Sequence, residues 1–233
     1  MSLAIVYTRA ALGIEAPLIT VEVHLSNGLP GLTMVGLPET TVKEARDRVR
    51  SALINSGYAF PAKKITINLA PADLPKEGGR YDLPIALALL VASEQLNTTR
   101  LNQYEFVGEL ALTGGLRGVP GAIPSAMEAI KAGRRIVVSS DNAAEVGLIG
   151  GSDCLVADHL QEVCAFLAGQ TSLSPPLAEA PARDERYEDL LDVIGQQQGK
   201  RALEIVAAGG HNLLLIGPPG TGKTMLASRL PGL

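Results

Sequence analysis

The chain has 233 residues, of which 46% are hydrophobic and 19% are charged, and its formal net charge is −4. This balance excludes a globally basic nucleic-acid coat, and the length is enough to bury a core without a disulfide or metal staple. The two cysteines, Cys154 and Cys164, form no CxxC motif and are expected to be small buried side chains. Without a basic leader or an apolar run of about 20 residues, a soluble cytoplasmic protein with no membrane contact is expected.

Strand and helix patterns alternate from the N-terminus. β-Branched residues and period-two alternation predict the first three strands at Leu3–Tyr7, Ile19–Leu25 and Leu32–Val35. A helix follows that begins behind Thr40 or Thr41, with Glu44 completing a capping box, and that extends to Ser56. Helical spacing gives this helix a core face of Val42, Ala45, Val49, Ala52 and Leu53.

The alternation continues to about Ala168. Further strands are predicted at Lys64–Leu69, Tyr104–Leu112, Arg135–Val138 and Leu155–Ala157. Further helices are predicted at Leu83–Glu94, Pro124–Ala132, Asn142–Val146 and Gln161–Leu167. The helix at Leu83–Glu94 is apolar nearly all round and should be buried. The pattern predicts an α+β (α/β layered) domain over residues 1–168.

The composition changes after this domain. Residues 169–186 are rich in proline, alanine and charge and show no periodicity, which is typical of a linker. A second unit is predicted over residues 187–233, with helical patterns at Asp189–Val193 and Lys200–Ala208. A strand is predicted over Asn212–Ile216, because Leu213–Ile216 is a fully apolar run and such runs usually form strands of buried parallel sheets.

A phosphate-binding motif follows this apolar run. The residues Gly217-Pro218-Pro219-Gly220-Thr221-Gly222-Lys223-Thr224 match the pattern G-x-x-x-x-G-K-[ST] in full. The glycines let backbone N–H groups converge on phosphate at the start of a helix predicted over Met225–Arg229, with Met225 beside the nucleotide. Lys223 is predicted to reach the β- and γ-phosphates of ATP, and the Thr224 hydroxyl to bind Mg²⁺.

Nine residues follow Thr224. A P-loop domain also needs further parallel strands, an acidic residue for the metal and a group that positions water. The chain is therefore expected to be the N-terminal part of a longer ATPase. By itself it is expected to contain no catalytic residue, to be loosely packed over 187–233, to bind nucleotide poorly and to hydrolyse none.

The segment before the P-loop resembles proteins of known families. The run Asp192-Val193-Ile194-Gly195-Gln196, with Lys200–Ile205 and Ala208–Asn212, is similar to magnesium-chelatase-type AAA+ proteins. That resemblance implies that Ile194 and Gly195 contact the adenine base of ATP. The alternative is that Gly195 is an ordinary helix C-cap.

Motifs in the first domain narrow the resemblance. The stretch Asn68-Leu69-Ala70-Pro71-Ala72-Asp73-Leu74-Pro75-Lys76-Glu77-Gly78, followed by Tyr81–Ala86, resembles the ComM/YifB family, as do Val35–Pro38 and Gly108–Leu110. The resemblance covers essentially the whole chain. It implies a Lon-protease-like (ribosomal S5 domain 2-like) domain followed by an AAA+ domain. It also implies a bacterial, hexameric, ATP-driven helicase that extends DNA branches during natural transformation.

Proteolysis is not expected, because the residues for it are missing. The Lon-like stretch Pro75–Asp82 contains no Ser, Thr or Cys nucleophile, and the stretch Val119–Ser125 contains no Lys base. Asp82 is predicted to be the N-cap of the following buried helix. Lys76, Glu77 and Arg80 are predicted to form either a solvated turn or a contact with DNA or another subunit.

A basic stripe marks a second candidate surface. Lys43, Arg46 and Arg50 recur at i, i+3 and i+7 and could lie along the phosphates of DNA, branched or single-stranded. Glu44 and Asp47 interleave with them, so a solvated face of mixed charge is the alternative.

Other functions stay open at this point. An AAA+ segment also fits a chelatase that inserts metal into a tetrapyrrole, or a protein-remodelling ATPase with a non-proteolytic Lon-like domain. An ATP-dependent protease is opposed by the missing Ser and Lys. A non-enzymatic reading makes residues 1–168 an oligomerisation module.

Overall fold

The computed structural model describes residues 2–36, 39, 42, 44–149, 152–176 and 187–233. It divides into two units, Met1–Glu179 and Ala180–Leu233. The predicted boundary at residue 168 and the predicted linker over 169–186 stay predictions, since 177–186 lie outside the described residues. In the described part of the predicted linker, Ser174 O accepts a hydrogen bond from Val156 N at 3.1 Å. The chain past residue 168 therefore still lies along the first unit.

The first unit is built on a mixed sheet flanked by helices. Its strands are β1 Ser2–Arg9, β2 Leu18–Ser26, β3 Gly31–Val35, β4 Lys64–Ala70, β5 Tyr104–Phe106, β6 Glu109–Leu110, β7 Leu116–Arg117, β8 Arg135–Ser139 and β9 Cys154–Ala157. Its helices are α1 Ala45–Asn55, α2 Asp82–Ala92, α3 Ala122–Lys131, α4 Ala143–Gly147 and α5 Leu160–Leu167. This layered arrangement confirms the predicted fold class, whereas the likeness to Lon-type domains stays a prediction.

Seven strands form the main sheet, in the order β3-β4-β2-β1-β5-β8-β9, and β6 and β7 form a separate hairpin. The β1–β2 and β2–β4 pairs are antiparallel, and the other pairs of the main sheet are parallel. In this register Val21 lies between Val6 on β1 and Leu69 on β4, and all three side chains are buried. The alternation predicted for β2 and β4 is therefore confirmed.

Two helices cover the core of this sheet. The predicted core face of α1, including Val42 just before it, is buried at every position. Helix α2 contacts β1, β2 and α1, and every residue in it except Val91 is buried, as its uniform apolar sequence predicts. Helix α1 has Glu44 as its N-cap, without a side-chain hydrogen bond. The predicted caps Thr40 and Thr41 lie outside the described residues.

The predicted strand over Tyr104–Leu112 is wrong as a single element. The chain leaves the sheet after Phe106 and resumes as β6 in the small hairpin. Gly108 explains the break, because its N–H donates to Arg80 O at 3.2 Å and its carbonyl accepts from Leu83 N at 3.1 Å. A Cβ at this position would lie 2.8 Å from Leu116 Cδ2, so any larger residue would require the Leu116 side chain to move. These bonds anchor the start of α2.

Helices are the only regular structure in the second unit over its described residues, 187–233. Its helices are α6 Gln197–Gly209 and α7 Lys223–Ala227, together with short 3₁₀ turns at Leu190–Asp192 and Leu230–Gly232. The predicted helix over Lys200–Ala208 is confirmed within α6. The predicted helix over Asp189–Val193 is only a single 3₁₀ turn, and the one over Met225–Arg229 begins two residues earlier as α7.

The predicted strand over Asn212–Ile216 is wrong. These residues adopt no regular structure, and Leu214 and Ile216 are 79% and 86% exposed. A strand needs a neighbour to pair its backbone N–H and C=O groups, and residues 187–233 contain no other strand. The exposed apolar side chains agree with the loose packing expected of this unit.

The length and polarity of a helix decide whether it could cross a membrane. Within the described ranges, the helices are all too short or too polar to cross a bilayer.

Candidate functional site

The P-loop motif forms a glycine-rich turn that leads directly into α7. Gly220 and Gly222 have φ values of +80° and +81°, a region that favours glycine. Gly222 is the N-cap of α7, and Lys223 is its first residue. A Cβ placed on Gly220 would meet no atom within 4 Å, so this part of the turn is open on its outer side. The motif therefore presents backbone N–H groups at a helix start, the arrangement that phosphate requires.

Polar side chains tie the turn together. Lys223 Nζ donates to Gly217 O at 2.9 Å and to Pro218 O at 2.7 Å. Thr221 Oγ1 also donates to Pro218 O, at 2.9 Å. The ammonium group that the motif predicts as the phosphate ligand is thus held on the turn itself, by neutral carbonyl oxygens that a charged phosphate can replace.

The segment predicted to contact adenine lies beside this turn. Gln196 Nε2 donates to Thr221 O at 3.4 Å, which joins the segment to the P-loop. Gly195 has a φ of +76°, and Ile194 is 96% exposed. The alternative of a helix C-cap at Gly195 is wrong, because the preceding 3₁₀ turn ends at Asp192 and the next helix begins at Gln197. Ile194 and Gly195 remain available to a base.

The helix that follows the P-loop turn, α7, packs in a small apolar cluster. Its buried members are Leu190, Val193, Leu203 and Leu226. Helices α6 and α7 meet closely there, since a Cβ on Gly199 would lie 2.9 Å from Leu226 Cδ1. Arg229 is also buried and donates to Glu188 Oε2 at 3.0 Å and to Met225 O at 2.7 Å. These contacts hold α7, the helix that contains Lys223 and Thr224, against α6 and the preceding 3₁₀ turn.

The residues present fit ATP and Mg²⁺. Open backbone N–H groups, a lysine on neutral acceptors and the exposed Thr224 hydroxyl are the donor set that a nucleotide phosphate with its metal requires. A metal ion can also be bound by side chains alone, without a nucleotide, which requires several ligands close together. In the described part of the chain, no three His, Cys, Asp or Glu side chains come together as a metal site.

The two stretches that the Lon resemblance pairs do lie together in the first unit. Arg80 donates through Nη2 to Pro120 O and through Nη1 to Arg9 O. Lys76 and Arg80 are both buried, and Lys76 Nζ donates to Pro71 O, so the solvated-turn interpretation is wrong for these two. Burial lowers the pKa of both side chains. Buried cations bonded to backbone carbonyls are also poor candidates for the DNA or subunit contact.

Asp82 does not cap its helix, which corrects the prediction. It is the first residue of α2, and its carboxylate accepts from Arg48 Nε at 2.7 Å and Arg48 Nη2 at 3.1 Å. The same carboxylate accepts from Leu110 N at 3.2 Å. Burial raises the pKa of Asp82 to about 6, against the opposing effect of Arg48. The Asp82 side chain therefore connects α1, α2 and β6 and does not cap the N-terminus of α2.

The basic stripe on α1 is partly as predicted. Arg46 and Arg50 are exposed, whereas Lys43 lies outside the described residues. The structure adds Lys63, which lines one surface recess of about 250 Å³ together with Arg46 and Arg50. Sequence reasoning missed Lys63 because it is 13 residues beyond Arg50 and reaches the recess only through the loop before β4. Its one signal was the pair Lys63-Lys64 at the start of a predicted strand.

Arg9 and Arg134, which are far apart in the sequence, bind the same carboxylate inside the first unit. Glu105 is fully buried and accepts from Arg9 Nε at 2.5 Å and from Arg134 Nη1 at 3.1 Å.

Both cysteines are free and buried, as predicted. Burial raises the pKa of both thiols, that of Cys164 to about 11, which keeps them protonated.

Family models match both units. Residues 21–142 match the model described as subunit ChlI of Mg-chelatase, and residues 189–233 match the one described as magnesium chelatase, subunit ChlI. Among individual proteins, an uncharacterized protein YifB of Salmonella typhimurium is 77% identical over all 233 residues. The competence protein ComM of Haemophilus influenzae is 59% identical, and an uncharacterized protein Mb2921c of Mycobacterium bovis is 41% identical.

The matches to the three individual proteins cover the whole of this chain but not the whole of those proteins. The chain spans 46% of the Salmonella protein, 47% of the Haemophilus protein and 46% of the Mycobacterium protein. It therefore corresponds to about half the length of the curated relatives it matches.

Proposed function

Since the chain belongs to the ComM/YifB family of magnesium-chelatase-like AAA+ proteins, we propose that it is the N-terminal part of an ATP-driven motor that acts on DNA. The motor is a hexameric branch-migration helicase that serves natural transformation and recombination. The P-loop carries this proposal, because Gly217–Thr224 combines the full motif with a helix that begins at Lys223. The name of the Haemophilus relative, a competence protein, supports the choice of DNA.

In this proposal the residues of the second unit bind the nucleotide. The backbone N–H groups of Gly220–Thr224 hold the phosphates, Lys223 neutralises their charge and the Thr224 hydroxyl binds Mg²⁺. Ile194 and Gly195 contact the base, and Gln196 keeps that segment against the P-loop through Thr221 O. The bound nucleotide supplies the phosphoryl group whose hydrolysis drives the motor. The 233-residue chain alone is expected to hydrolyse no ATP.

The test measures ATP hydrolysis by the protein at the full length of its relatives, with and without branched DNA. Stimulation by DNA that disappears in Lys223→Ala is the expected result. Lys200→Ala is the matched control, because Lys200 lies in α6 of the same unit and outside the motif. Hydrolysis that is robust but indifferent to DNA would overturn the choice of DNA and leave the ATPase.

A chelatase is the second candidate, favoured by the two family models, whose descriptions both name magnesium chelatase. In that case the same P-loop drives insertion of a metal ion into a tetrapyrrole. Stimulation of ATP hydrolysis by a tetrapyrrole, in the absence of DNA, separates this candidate from the first.

A further inference from the structure

A recess at one edge of the main sheet concentrates positive charge. It lies beside β3, the end strand in the sheet order, and has a volume of about 250 Å³. Its charged lining is Arg46 and Arg50 from α1 and Lys63 from the loop before β4, and all three are exposed. The remaining wall includes the uncharged residues Leu32, Phe60 and Pro61.

Within the part of the chain that the structure describes, these three cations form no ion pair. No carboxylate in the described ranges comes within 4.0 Å of Arg46, Arg50 or Lys63. Glu44, which the sequence places among them, instead lies 3.9 Å from Arg48, and Arg48 is also bonded to Asp82. Neither Glu44 nor Asp47 lines the recess, so the mixed-charge alternative describes the outer face of α1 and not the recess. There three like charges share one small volume, and an anion would relieve their repulsion.

The geometry favours phosphate over a base as the group that is bound. Arg46 and Arg50 lie one helical turn apart, so their guanidinium forks can reach neighbouring phosphates of one strand. The Arg50 guanidinium already covers the Phe60 ring, at 5.0 Å from its centroid. That face of the Phe60 ring is thus taken by a cation–π contact and is closed to a base. A site of this kind reads the backbone and not the sequence.

We propose that the recess formed by Arg46, Arg50 and Lys63 binds the phosphodiester backbone of nucleic acid, independently of sequence and of ATP. The proposal rests on the proposed function only in taking the nucleic acid to be DNA. It gives the first unit a direct grip on the substrate, separate from the P-loop of the second unit.

The experiment titrates a labelled 20-nucleotide single strand, and the same sequence as a duplex, into the 233-residue chain over a range of salt concentrations. Replacing all three cations by alanine is expected to weaken binding about tenfold or more at 0.1 M salt. It should also reduce the slope of log K against log salt by about 2 for the single strand, at roughly 0.7 for each lost phosphate contact. The two probes show which form of DNA the recess prefers.

Two further variants keep the test decisive. Lys63→Ala changes one exposed loop residue and should lower the slope by about 0.7 without affecting the fold. The control Arg117→Ala/Lys131→Ala removes exposed cations that already have partners, Glu109 and Glu128, and should leave the slope unchanged. An equal loss in this control, or an unchanged slope in the triple variant, would overturn the proposal.

The remaining outcomes separate this site from other anions and from the motor. Two single strands of unrelated sequence should bind within about twofold of each other, and stronger discrimination would overturn backbone recognition. Competition by polyglutamate as strong as that by DNA of equal charge would overturn the assignment to phosphodiesters. Lys223→Ala should bind DNA like the unaltered chain, so a failed ATPase proposal and a failed recess give different results.

Discussion

The two units use similar apolar sequences with opposite results. In the first, Ile65, Ile67 and Leu69 alternate along β4 and are all buried, because β2 and β3 pair with that strand on both sides. In the second, Leu213, Leu214 and Ile216 are exposed, and no strand forms. The difference shows that an apolar run specifies a strand only where another segment satisfies its backbone hydrogen bonds.

Charged pairs differ in the same way. Glu105 in the first unit is buried between Arg9 and Arg134, whereas the Arg201–Glu204 pair on α6 is exposed to solvent. Water and salt screen the exposed pair strongly and the buried one much less, and removing one partner of the buried group leaves an uncompensated charge. Matched substitutions in the two units therefore test whether the contrast is real.

The largest effect is expected from Glu105→Ala. This change leaves Arg9, which is also buried, without its carboxylate, and should lower the free energy of unfolding by about 3–5 kcal/mol. Glu204→Ala, the matched change in the second unit, should cost less than about 1 kcal/mol. Urea unfolding followed by circular dichroism measures both. Equal costs would mean that Glu105 is not buried as described.

A similar comparison uses two isoleucines. Ile67→Ala removes a fully buried side chain from β4 and should cost about 2–5 kcal/mol in the same unfolding experiment. Ile216→Ala removes a side chain that is 86% exposed and should change stability by no more than about 0.5 kcal/mol. A large cost at Ile216 would contradict the absence of packing there.

A pH titration tests whether the Lys76 side chain in the first unit is buried. Burial lowers the pKa of Lys76 in the folded chain, so the unfolded chain binds the extra proton at intermediate pH. Stability relative to Lys76→Met should therefore rise as pH increases from the lowered pKa towards about 10.4, the usual value for lysine. Urea unfolding of both proteins at pH values from 7 up to about 10.4 measures this difference. A flat difference would show that Lys76 is solvated.

The smallest effect is expected from Lys223→Ala on stability. Its ammonium bonds to two carbonyl oxygens and to the Thr221 hydroxyl, all within the exposed P-loop, so unfolding should change by no more than about 0.5 kcal/mol. Thermal unfolding of the 233-residue chain provides the measurement. A larger change would mean that a loss of ATP hydrolysis in Lys223→Ala does not by itself test the role of Lys223 in binding phosphate.

Local patterns were sufficient for most of the first unit and for the P-loop motif. The buried faces of β2, β4 and α1 follow directly from periods of two and of 3.6 residues, which record the side that faces the core. The strand over Tyr104–Leu112 failed because Gly108 is bonded to Arg80 and Leu83, residues more than 20 positions away. Such bonds leave no periodic signal near Gly108.

The candidate sites divide along the same line. The sequence by itself determined the P-loop, since a phosphate cradle is made of consecutive residues whose glycines and lysine are legible in order. Only the tertiary structure decided that Lys76 and Arg80 are buried, that Asp82 binds Arg48, and that Lys63 joins Arg46 and Arg50. The physical reason is that burial and charge pairing depend on distances between segments that are far apart in the chain, and such distances are set only when the sheet and its helices have packed.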